Sequence, residues 1–137
     1  MTETHASKDQ LPAERVDDYE WRMTRLGDYY VRFESIPAGF DDARFLKGLP
    51  DDACQCEHWG YLFKGSLKFR HTDGHDEVVS AGEAYYAPPG HSFETLENCE
   101  TVEFSPKGRS TGSWRWSARI SRRWGCPRQV VVVRQLC

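Results

Sequence analysis

HWGYLFKGSLKFRHTDGHDEVVSAGEAYYAPPGHSFETLE, residues 58–97, is a chain of short runs, each closed by a turn signal. HWGYLFK stops at Gly65. SLKFRH runs into Thr72-Asp73-Gly74-His75, where Asp-Gly marks a hairpin turn. DEVVS ends at Ala81-Gly82-Glu83, AYYAP at Pro88-Pro89-Gly90, and HSFETLE at Asn98-Cys99, after which ETVEFS closes the series. Short strands separated by turn signals every 8–12 residues or so predict an all-β sandwich or barrel. No segment of helical period competes, and there is no internal repeat.

The upstream sequence extends the pattern. Tyr19–Leu26 (YEWRMTRL) and Tyr29–Ile36 (YYVRFESI) read as two strands joined by the turn Gly27-Asp28. In the second, Val31, Phe33 and Ser35 oppose Tyr30, Arg32 and Glu34, the alternation of a half-buried strand. Pro37-Ala38-Gly39 ends it. Residues 41–52, DDARFLKGLPDD, read as a loop with one helical turn, anchored by Leu46 and Leu49. Residues 1–18 are polar and acidic and are expected to form a flexible arm with a short helical turn near Pro12.

Composition bounds the rest. A chain of 137 residues fits one domain with one core. There is no apolar run long enough for a transmembrane helix, and the N-terminal stretch lacks the apolar core of a signal peptide. A soluble cytoplasmic protein is expected. The net charge of −3 gives no reason to expect nucleic acid or membrane as partner. That charge is unevenly spread. Residues 1–104 hold 10 Lys/Arg against 21 Asp/Glu, whereas residues 105–137 hold 8 Lys/Arg and no acid. The break sets the expected units: an arm over 1–18, a barrel over 19–105 and a poorly ordered basic tail over 106–137. Three readings of the tail stay open: a product of a shifted reading frame, a basic arm for an anion or nucleic acid, or a source of one last strand, QVVVV.

Five cysteines in a chain expected to sit in a reducing compartment point to core residues, metal ligands or reactive thiols rather than a disulfide framework. In DACQCEHWG, residues 52–60, Cys54, Cys56 and His58 occupy every second position. If the segment is extended, the three share one face. Three readings of them are open: a metal site, plain core packing, or a redox pair of thiols.

The run from Cys54 to Pro106 resembles the cupin family, a double-stranded β-helix or jelly-roll barrel. The resemblance rests on Leu62-Phe63-Lys64-Gly65 followed by SLKF, and on Gly82, five residues, then Pro88-Pro89-Gly90. It implies a metal held between the two motif strands. The family's usual set is His-x-His, a Glu four residues on, and a later His. Here those places fall on Asp52, Cys54, His58 and Phe93, so the usual set is absent. His91, however, lies two residues before Phe93, and a shift of two keeps the same face of a strand. Cys54, Cys56, His58 and His91 therefore form the candidate metal set, with Asp52 an outside candidate. Two thiolates and two imidazoles suit Zn²⁺. This departure argues against the family's usual iron or manganese chemistry.

His71 and His75 flank the hairpin turn and are expected in solvent. Trp59, Tyr61 and Phe63 have the opposite parity to His58 and are expected to pack on the other face. Of Tyr85 and Tyr86, one is expected to line the cavity. No general base stands out, because Glu57 and Glu94 have outward parity. Three classes of function follow: a metal-dependent enzyme on a small organic acid or sugar, a module that binds a small ligand without turnover, and an assembly role. A homodimer is expected, using residues 19–36 as its interface, because an open barrel leaves strand edges to cover.

Overall fold

The computed structural model describes residues 3–106; the basic segment from 107 onward lies outside them. Nine strands form two antiparallel sheets: β1 (Glu14–Val16), β2 (Tyr19–Leu26), β3 (Tyr29–Ile36), β4 (His58–Lys64), β5 (Ser66–His71), β6 (Asp76–Ser80), β7 (Ala84–Ala87), β8 (His91–Thr95) and β9 (Cys99–Pro106). One sheet has the order β1-β2-β3-β9-β4-β7 and the other β6-β5-β8. Between β3 and β4 lie a single helical turn, α1 (Ala43–Leu46), and a 3-10 turn at Pro50–Asp52. The fold is all-β, as the turn spacing predicts, and its two antiparallel sheets make the jelly roll that the cupin resemblance implies. The N-terminal region differs from the expected arm: residues 14–16 form an edge strand on β2, and the short helical turn falls at Lys8–Gln10. The sheet therefore starts before residue 19.

Both sheets bury residues in one core. Tyr19, Trp21, Ile36, Leu62, Ala87 and Cys99 come from the larger sheet, and Leu67, Phe69 and Val79 from the smaller. Full burial of a leucine such as Leu62 or Leu67 contributes about 1.5–3 kcal/mol. The expected anchors Leu46 and Leu49 are buried in a side cluster with Cys54 and Cys56.

The segment after β3 runs beside β8. Gly39 N donates to Thr95 O, Thr95 N to Phe40 O, Asp42 N to Phe93 O and Cys54 N to His91 O, at 2.7–3.1 Å. The free edge of β8 is thus covered. Asp42 is buried there, its Oδ1 accepting Phe93 N at 2.9 Å, and burial pushes its carboxyl well above the ordinary range.

The interior is not wholly apolar. On β3 the residues facing it include Arg32 and Glu34, 6% and 3% exposed, although alternation with Val31 and Phe33 reads them as solvent-facing. The cross-strand register explains their burial. β3 is flanked on both sides, by β2 and β9, and pairs Arg32 with Glu103 and Glu34 with Thr101. Arg32 Nη2 donates to Glu103 Oε1 at 2.5 Å, and Arg32 Nε faces Glu34 Oε1. Tyr19 donates to Glu34 Oε1 at 2.6 Å and Tyr85 to Glu103 Oε2 at 2.8 Å. Burial works against each charge. The two carboxylates outweigh it at Arg32 and raise the guanidinium pKa further. At Glu34, burial and the neighbouring Glu103 charge push the carboxyl up despite Arg32.

Of the two adjacent tyrosines, Tyr85 turns inward and Tyr86 outward. Gly60 makes room for Tyr85: a Cβ there would lie 2.2 Å from Tyr85 Cζ. The outer face of the large sheet carries an aromatic row. Trp59 stacks on Tyr86 and meets Tyr29 edge-on, and Tyr61 meets Phe63. These rings have the parity expected of them but remain exposed. The row belongs to β4, β7 and the start of β3.

Two outcomes test this interior. Gly60→Ala lowers stability by about 1–3 kcal/mol in chemical denaturation, because the ring of Tyr85 has nowhere to go, and it costs nothing further in a Tyr85→Ala background. Arg32→Leu leaves two buried carboxylates facing each other and costs about 3–5 kcal/mol in the same measurement. A variant as stable as the parent would show that the carboxylates do not depend on the guanidinium.

Candidate metal centre

At one end of the barrel the chain brings Cys54, His58 and His91 together. All three are buried, and one ligand atom from each lies within 4.8 Å of the other two. Cys54 precedes β4 and is held against β8 by a two-residue bridge to His91: Cys54 N donates to His91 O at 2.7 Å and His91 N to Cys54 O at 3.3 Å. His58 opens β4. Alternation from Cys54 to Gly60 points positions 54, 56, 58 and 60 inward, as expected from their spacing, although only 58 onward is strand.

Cys54 Sγ is 3.4 Å from His58 Nε2, and the two imidazole rings meet edge-on at 5.2 Å. Cys56 is buried next to this group, with Leu46 and Leu49. It is close enough for its charge to favour the protonated form of both histidines. The outside candidate Asp52 is elsewhere. It is exposed, and its Oδ1 accepts the backbone N–H of Gly48 at 2.6 Å. Phe93, at the family's later His place, packs among Phe40 and Phe69.

The nitrogens that face away from the cluster are both tied. His91 Nδ1 is 2.5 Å from the carbonyl of Pro88, which can only accept, so the proton is on Nδ1 and the lone pair on Nε2. His58 Nδ1 lies 2.6 Å from Ser105 Oγ and 3.3 Å from Glu103 Oε1, which sets the same tautomer. Burial depresses both imidazoles, His91 to about 4, so both are neutral at pH 7. Glu103 stays charged. Burial opposes its ionisation, but the neighbouring His58, Arg32 and the Tyr85 hydroxyl together hold the carboxyl below its ordinary value.

This donor set fits a borderline divalent ion. Tetrahedral ligation at roughly 2.0–2.3 Å places ligand atoms about 3.3–3.8 Å apart. The Cys54–His58 separation of 3.4 Å already matches, and the remaining ligand atoms lie within 4.8 Å of one another. Acceptors behind both imidazoles are the usual support of metal-bound histidine. Glu103 and Ser105 were not visible as site residues in the sequence. They sit two and four residues after Thr101 on an alternating strand, and that parity was the available signal.

No protein-family model matches this chain, and no curated protein does. Solved structures do match it in shape. An RmlC-like cupin from Shewanella frigidimarina NCIMB 400 superposes with a TM-score of 0.58 at 15% identity, over 79% of this chain and 94% of that one. The polyketide cyclase RemF from Streptomyces resistomycificus does so with 0.57 at 20% identity, over 78% and 81%. A deletion mutant of Bacillus subtilis oxalate decarboxylase OxdC gives 0.57 at 14% identity, over 96% of this chain and 39% of that larger one. With the nine strands of its described residues in two antiparallel sheets around one main core, the chain has the cupin fold.

Proposed function

We propose that this protein is a metal-dependent cupin-fold enzyme whose centre is Cys54, His58 and His91, with Cys56 the fourth candidate ligand and Zn²⁺ the favoured ion. One observation carries the reading: three buried ligand atoms, from the segment before β4, from β4 and from β8, converge within 4.8 Å, and both imidazoles point their free nitrogens inward because their other nitrogens are occupied. Thiolate with neutral imidazole selects Zn²⁺ over harder ions. When bound, such an ion supplies Lewis-acid polarisation of a substrate oxygen.

The chain's own groups add acid–base capacity. Tyr85 donates to Glu103, and Glu103 faces His58 Nδ1, so a hydroxyl, a carboxylate and an imidazole form a continuous line. These groups can hold a proton at the Tyr85 oxygen or the Glu103 carboxylate while His58 keeps its tautomer. Two of the structural neighbours are a cyclase and a decarboxylase, which supports the choice of a small organic substrate. A second reading is a module that binds a small ligand without turnover. It is favoured by the mutual pairing of Arg32, Glu34, Glu103 and Tyr85, which leaves these groups engaged with one another.

Co²⁺-loaded protein is expected to show thiolate-to-cobalt charge-transfer absorption in the near ultraviolet. Cys54→Ser should abolish or sharply weaken it, and chelation should lower the melting temperature, because metal binding adds to folding free energy. A loaded protein without that absorption removes the metal reading and leaves the ligand-binding one. Ser105→Ala should weaken Zn²⁺ affinity about 10–100-fold in competition with a chromophoric chelator, through loss of the partner that orients His58. An unchanged affinity would mean that Ser105 does not position the ring.

A further inference from the structure

We propose that His71, His75 and Glu77 form a second divalent-cation site, at the turn end of the β5–β6 hairpin and sharing no residue with the Cys54–His58–His91 centre. Strand register assembles it. β5 and β6 pair Phe69 with Glu77 and Arg70 with Asp76, so one further step sets His71 opposite His75. His71 N donates to His75 O at 3.0 Å, closing that step. Residues directly opposite and residues two apart share a face. The hairpin thus puts two imidazoles and a carboxylate on one face, and one ligand atom from each lies within 4.8 Å of the others.

A second observation points to a ligand. The sequence places His71 in solvent, yet its side chain is only 7% exposed, and its Nε2 is buried with no hydrogen-bond partner among the described residues. Native interiors seldom leave a buried ring nitrogen unmade. Glu77 Oε2 lies 3.7 Å from it, beyond hydrogen-bond reach but suited to an ion between the two.

The third ligand is free to adjust. The rings of His71 and His75 stack at 4.2 Å with 14° between planes. Ligand lone pairs lie in the ring plane, so joint ligation requires one ring to turn. The side chain of His75 is 57% exposed, and its ring torsion has broad wells. Its Nδ1 is hydrogen-bonded to Asp73, itself exposed, which leaves Nε2 as the lone pair and lets the carboxylate follow the ring. Two imidazoles, one carboxylate and an open fourth position make a set for Zn²⁺, Co²⁺ or Ni²⁺. Across β5 and β8, His71 pairs with His91, so the two sites are neighbours at one end of the barrel.

The test titrates the metal-free full chain with Zn²⁺ alone and with Co²⁺ alone. The parent is expected to take up one more equivalent than His75→Ala/Glu77→Gln, whose substituted side chains are exposed and do not endanger the fold. In the Co²⁺ titration, the equivalent lost with this variant should carry d–d bands without thiolate charge transfer. Equal uptake by parent and variant overturns the proposal, as does a lost equivalent that carries thiolate absorption. If the parent binds a single equivalent and the variant none, the hairpin site stands and the Cys54 centre falls. If both bind one, the hairpin site falls and the Cys54 centre stands.

Discussion

One guanidinium organises the inside of this barrel. Arg32 lies between Glu34 on its own strand and Glu103 on β9, all three buried. A single positive charge between two carboxylates leaves an excess of negative charge in a low-dielectric interior. That arrangement persists because Tyr19 and Tyr85 each donate a hydrogen bond to one carboxylate, and because Glu34 takes up a proton more readily than an ordinary carboxyl. A buried pair of this kind is weak evidence of stability, but loss of one partner is costly. The network therefore constrains what can change around it more than it adds to stability.

Its reach includes the candidate metal centre. Glu103 accepts from Arg32 and Tyr85 and also faces His58 Nδ1. The carboxylate that balances Arg32 thus helps to choose the tautomer of a candidate ligand. Structural and chemical roles meet in one side chain, and a change at β3 would be felt at β4 without touching a ligand.

The other half of the centre depends on backbone. Residues 39–54 run beside β8 and close on it through the Cys54–His91 bridge. This pairing covers a sheet edge and at the same time sets a thiol beside an imidazole. The resemblance to cupins implies ligands at places here held by Asp52, Cys54, His58 and Phe93. The structure keeps Cys54 and His58 in the cluster, turns Asp52 out to the Gly48 N–H, gives Phe93 to the core and recruits His91 from one pleat earlier.

Most of the strands were legible in the sequence, because turns are local. Asp-Gly, Pro-Pro-Gly and the glycines at positive φ bound the strands wherever the rest of the chain lies. The inward parity of Cys54, Cys56 and His58 was legible for the same reason, since it follows from a period of two. The direction of β3 was not. Arg32 and Glu34 read as a solvent face until β9 is known to supply Glu103 opposite them, and that pairing joins residues 71 apart in the chain. His71 is a similar case: a histidine beside a turn looks exposed, and only the meeting of β5, β6 and β8 buries it. Local sequence determined where strands begin, end and alternate. Which face became the interior, and which polar groups meet there, was decided by long-range register, because a buried charge is tolerable only where another strand brings its partner.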